Sequence, residues 1–134
     1  MHWTDNYVGR EYIEGVQDCA ELVEVVNREV FDRAINLPSE RESNVFKQAQ
    51  QLFGYLDDNC YRVDLTEAED GDVVLMICRG RLSHSGVYCK IGRTHYVLHN
   101  VKTSGCTVFQ KIDELPISGL KFEGVYRLSS WSDK

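Results

Sequence analysis

Cys19, His84 and His99 are the residues of this chain whose types and placement could carry a covalent reaction. A thiol becomes a nucleophile when a base removes its proton and its surroundings stabilise the thiolate; a helix amino terminus and an imidazole together do both. Cys19 stands in Asp18-Cys19-Ala20-Glu21-Leu22-Val23, where Asp18 has the type of a helix cap and Glu21, three positions on, completes a capping-box pattern. His84 and His99 fall on either side of a strand-turn-strand pattern centred on Ile91 to Thr94. With Gly92 and Arg93 as the loop, His99 lies diagonally from His84; a turn shifted by one residue sets the two opposite each other. Either register brings both imidazoles to one end of a hairpin. His84 then takes the proton of Cys19 while His99 holds the other ring nitrogen of His84 and fixes its tautomer. The chemistry that follows is attack on an amide carbonyl, departure of the amine assisted by protonated His84, and hydrolysis of the thioacyl intermediate. The Cys19 backbone N–H and the Tyr12 hydroxyl are the candidates for stabilising the oxyanion.

These residues need elements to hold them. Leu22, Val23, Val26 and Val30 form an apolar stripe, which predicts a helix ending between Phe31 and Asn36. Pro38-Ser39 punctuates the chain, and Val45, Phe46, Ala49, Leu52, Phe53 and Leu56 repeat at helical spacing to about Asp57. After Asp70-Gly71 the pattern changes to short runs rich in Val, Ile, Tyr and Phe, which predict strands near 72–78, 86–90, 95–100, 107–110 and 122–128. Residues 111–114 and 116–119 read as connections, because Pro116 lacks the donor a central strand needs. The expectation is a single α+β domain over residues 1–134, its amino-terminal helices packed on an antiparallel sheet of about five strands.

Composition narrows the chemistry. The chain has 134 residues and a formal charge of -6, from 15 basic and 21 acidic side chains, a poor balance for tracking phosphates, so no nucleic-acid partner is expected. Five cysteines without a CxxC pair do not describe a disulfide scaffold, and Cys60, Cys78, Cys89 and Cys106 read as packing residues. Cys19, His84 and His99 could in principle hold zinc with water as fourth ligand, but no HExxH or paired CxxC supports it, and neither metal nor cofactor is expected. His2 and His95 read as isolated histidines. The amino terminus shows no basic segment followed by an apolar stretch, so no signal peptide is expected. The apolar run at 73–78 falls far short of the roughly 20 residues of a membrane span, so no membrane insertion is expected.

Several segments, taken in order, resemble the NlpC family of papain-like cysteine peptidases, above all its phage tail-tip members. They are Tyr7-Val8-Gly9-Arg10-Glu11-Tyr12, Gly15, Asp18-Cys19, Gly71-Asp72-Val73-Val74, His84-Ser85-Gly86-Val87-Tyr88 and Val97-Leu98-His99-Asn100. The resemblance implies a papain-like NlpC fold, with Cys19 as nucleophile, His84 as base, His99 as orienting residue and Tyr12 near the attacked carbonyl. It also implies a substrate, the peptide stems or crosslinks of bacterial peptidoglycan, commonly cut beside D-glutamate and meso-diaminopimelate. A tail member would have tail-tip proteins as partners. It would reside in the virion tail or, during assembly, in the host cytoplasm, and act at the cell wall. Family members often carry Ser or Trp and then Gly after the cysteine, whereas this chain has Ala20 and Glu21. That departure leaves open a different stem peptide, a deamidase or acyltransferase using the same nucleophile, and a non-catalytic tail-assembly protein. Asn100 stands beside His99 as the alternative orienting residue.

Overall fold

A computed structural model describes residues 2–37 and 45–133, with residues 45–50, 53, 132 and 133 described by their backbone alone. Its first helix, α1 (Cys19–Val30), starts where Asp18 caps it, the carboxylate accepting the Glu21 N–H at 2.9 Å. Leu22, Val23 and Val26 are fully buried. Asn27 is buried among them with both ends satisfied, donating to the Val23 carbonyl at 2.9 Å and accepting from Arg33 Nε at 3.0 Å. The helix stops at Val30, just short of the predicted end, because Asp32 adopts a left-handed conformation (φ 51°) that α-helix cannot continue through. The second helix, α2 (Val45–Asn59), runs two residues past its predicted end. Its Leu52 and Leu56 enter the same core as α1. Pro38-Ser39 and the side chains of Val45, Phe46, Ala49 and Phe53 lie outside the described structure.

The architecture is α+β, and the sheet has six antiparallel strands rather than about five. They are β1 (Cys60–Val63), β2 (Val73–Cys78), β3 (Arg81–Ile91), β4 (Thr94–Val101), β5 (Cys106–Lys111) and β6 (Leu120–Leu128), in the order β1-β6-β2-β3-β4-β5. β1 escapes sequence reading because it has four residues, follows α2 without a break and is defined by a distant partner, Cys60 pairing with Leu128. β3 begins five residues before the predicted Gly86. Its first half, Arg81-Leu82-Ser83-His84, is polar, and a register shift against β2 at Met76/Ile77 interrupts the alternation.

Both faces of the sheet are covered, which is why β2 reads as the unbroken run Val73-Val74-Leu75-Met76. Val73, Leu75, Val87 and Leu98 meet the two helices; Val74, Met76, Tyr88 and Val97 meet Ile112 and Leu115 of the 3-10 segment Ile112–Ser118. At the entrance to β2, Asp72 is fully buried and satisfied, accepting from Arg127 Nε at 2.9 Å, Arg127 Nη2 at 2.7 Å and the Glu69 N–H at 2.8 Å. The edge strand β5 is covered by the amino-terminal segment. Gly9 N–H donates to Thr107 O at 2.8 Å, Thr107 N–H to Arg10 O at 2.8 Å and Tyr12 N–H to Gly105 O at 2.9 Å. The chain then turns through the Ile13–Gln17 bridge and enters α1. Among the described residues no helix is long and apolar enough to cross a membrane.

Candidate active site

β3 and β4 pair from Ile91↔Thr94 to Val87↔Leu98, so Gly92 and Arg93 are the loop and His99 lies diagonally from His84. Beyond Val87 and Leu98 the ladder between these strands ends. β3 continues along β2, where His84 pairs with Met76, and β4 continues along β5, where His99 pairs with Val108. The two imidazoles meet where the strands part, His84 Nε2 standing 2.8 Å from His99 Nδ1, with the ring planes 69° apart. His99 is fully buried and His84 is 8% exposed.

Gly86 makes this approach possible. A Cβ there would lie 2.6 Å from Val97 Cγ2 and 2.9 Å from both His99 Cβ and the Leu98 carbonyl oxygen, closer than real atoms pack. Gly86→Ala is therefore expected to destabilise the fold by about 1–3 kcal/mol through overpacking and to push His99 off His84. Urea unfolding gives the first effect and the imidazole resonances give the second. An alanine variant as stable as the parent, with unchanged histidine resonances, would contradict the close packing.

The direction of the hydrogen bonds follows from one backbone carbonyl. The Gln110 amide nitrogen donates to Glu114 O at 3.2 Å and lies 2.9 Å from the Ser118 hydroxyl; a carbonyl only accepts, so the Gln110 oxygen is the end that faces His99. That oxygen is 3.0 Å from His99 Nε2 and requires a proton there. Burial and the neighbouring His84 push the His99 pKa down to about 3, so at neutral pH this ring has one N–H only. Its Nδ1 is then an acceptor, and His84 must donate through Nε2. The lone pair of neutral His84 is left on Nδ1, which makes that nitrogen the basic one.

His99 and Asn100 thus have different tasks. Asn100 Nδ2 donates to the Gln17 carbonyl at 2.8 Å and ties the turn that leads into Cys19 to the strand position after His99. Cys19 opens α1, is 2% exposed, and rides on a helix that packs across β3 and β4. Tyr12 is half-buried on the segment bound to Gly105, one turn of chain before Cys19. Around that turn, Asp18 Oδ2, Asn100 Oδ1 and Thr107 Oγ1 are buried without hydrogen-bond partners among the described residues, and Asn100 and Thr107 are cross-strand neighbours. Glu21, expected to fold back onto the helix backbone, instead has its carboxylate held by the Arg10 guanidinium, with Nη2 to Oε2 at 3.2 Å. The charge that departs from the resembled pattern is thereby compensated beside Cys19.

Gln110 and Arg10 are the site residues that sequence reasoning missed. Gln110 sits near the end of a short strand, where a polar residue is ordinary, and only the β4–β5 register, Val97↔Gln110, brings it to His99. Arg10 had a cue in the acid three positions into the helix, yet nothing local connects the two. All five cysteines are free thiols. Fold and site together define an α+β protein with a thiol at a helix amino terminus and a directed histidine pair on adjoining strands. No protein-family model and no curated protein matches the chain.

Proposed function

We propose that this chain is a cysteine endopeptidase with the papain-like NlpC fold, hydrolysing peptide bonds in the stems or crosslinks of bacterial peptidoglycan. The observation that carries the reading is the directed chain from Gln110 through His99 to His84, because it sets the His84 tautomer that a general base acting through Nδ1 requires. His84 Nδ1 removes the Cys19 proton, and the thiolate forms a C–S bond to the carbonyl carbon. The His84 imidazolium returns the proton to the departing amine as the C–N bond breaks. Water, deprotonated by His84, then cleaves the thioester and regenerates the thiol. The helix amino terminus favours the thiolate, and the Cys19 N–H and Tyr12 hydroxyl are the donors offered to the oxyanion. The substrate class and the phage-tail setting rest on the resemblance of the His84-Ser85-Gly86-Val87-Tyr88 and Val97-Leu98-His99-Asn100 segments to that family.

The near-complete burial of Cys19 favours one second reading, a tail-assembly protein that keeps the fold without the chemistry. Mass spectrometry of purified peptidoglycan fragments incubated with the parent chain and with Cys19→Ala separates the two. New amine and carboxyl ends made by the parent alone are expected and identify the bond. Transferred or deamidated products would mark the same thioacyl step with a different outcome. No product, where a known wall peptidase cuts the same material, would shift the assignment to assembly.

A further inference from the structure

We propose that His2, Asp70 and Cys89 form a zinc-binding site that fastens the amino-terminal segment to the sheet. This inference is independent of the peptidase reading. The imidazole nitrogen, carboxylate oxygen and thiol sulfur of these residues all lie within 4.8 Å of one another. Cys89 Sγ is 3.6 Å from His2 Nε2 and 3.9 Å from Asp70 Oδ2. Tetrahedral zinc, with Zn–S of about 2.3 Å and Zn–N or Zn–O of about 2.0–2.2 Å, sets its ligand atoms roughly 3.5 Å apart, so the cation fits with small adjustments. A nitrogen, an oxygen and a sulfur donor together select a borderline divalent ion over calcium or magnesium.

The ligands are also supported from behind. Asp70 Oδ1 accepts the Lys90 N–H at 2.9 Å, and Oδ2 accepts the Trp3 indole N–H at 3.4 Å, which orients that oxygen and leaves it a lone pair. His2 Nδ1 lies 2.8 Å from the hydroxyl of buried Thr4 and accepts the Thr4 N–H at 3.3 Å. A metal on Nε2 places the ring proton on Nδ1, which then gives up the Thr4 N–H and donates to the Thr4 hydroxyl, the outer partner that metal-bound histidine ordinarily has. Cys89 is fully buried near the end of β3, Asp70 precedes β2, and His2 heads the segment that continues to Tyr12 and Cys19. Water completes the fourth position. Binding releases the Cys89 proton to solvent and joins three distant parts of the chain.

Cobalt(II) titration of the full chain tests this, with any tag placed at the carboxyl end. Using Cys19→Ala as the parent removes the thiol that the proposed function pairs with His84. One equivalent of cobalt is expected to give a thiolate-to-metal charge-transfer band and intense tetrahedral d–d absorption, displaced by zinc. Adding Cys89→Ser abolishes the band. Adding His2→Ala weakens affinity by at least about 100-fold. Zinc is likewise expected to raise the melting temperature of the parent and not of the His2→Ala form. Absence of the band at millimolar cobalt, or a band indifferent to His2→Ala, would overturn the site.

Discussion

His84→Ala is expected to slow acylation of Cys19 by about 10²- to 10⁴-fold, the range lost when a positioned general base is removed. Iodoacetamide reads the same dependence without a substrate. The proposed pair predicts that Cys19 of the parent chain alkylates through a thiolate that His84 maintains. In His84→Ala the rate at pH 7 falls and rises only as the thiol itself ionises. The four other cysteines, resolved by peptide mass mapping, serve as internal controls. A Cys19 that alkylates equally in both chains would mean that its thiol does not sense His84, and the proposed chemistry would fail with it. The orienting residues make graded changes. His99→Ala removes the acceptor for His84 Nε2–H and is expected to slow acylation by more than about tenfold. His99→Asn restores an acceptor near the position of Nδ1 and recovers part of the loss. Asn100→Ala frees the Gln17 carbonyl instead, so it lowers the rate without moving the pH profile.

How far the sequence discloses this arrangement depends on the range of the interaction. Asp18 as cap, Leu22, Val23 and Val26 as a buried stripe, and a turn within Ile91 to Thr94 are local features, and each appears where its residues place it, with the structure choosing Gly92-Arg93 from the two registers left open. The loop then carries one nonlocal consequence, since a fixed turn sets the register that takes His99 to the diagonal of His84. What escaped reading is set by pairing between elements far apart in the chain. β1 exists through β6, the polar first half of β3 is a strand because β2 lies beside it, and Gln110 reaches His99 through the β4–β5 register. His2, which reads as isolated from its neighbours in sequence, stands against Cys89, 87 residues away. The choice between His99 and Asn100 was equally closed to sequence, because adjacent strand residues point to opposite faces and no local pattern says which face the partner occupies.

Acid is expected to remove roughly 2–3 kcal/mol of stability through His99 alone between pH 7 and 4.5. The ring is fully buried, and burial together with His84 lowers its pKa from 6.5 to about 3. Between those values the unfolded chain binds the proton and the folded chain does not, so stability falls as pH falls. The contribution is complete above about pH 6.5 and gone near pH 3. Urea unfolding of the parent and of His99→Asn at both pH values isolates it, because the carboxylates titrate alike in the two chains and only the parent carries this imidazole. The stability gap between them should shrink by roughly 2–3 kcal/mol on acidification; an equal loss in both would show that His99 is not held neutral. The same measurement bears on catalysis. A protonated His99 would present N–H on both sides and could not accept from His84, so the neutrality that makes the fold acid-sensitive is also what the proposed role of His84 Nδ1 requires.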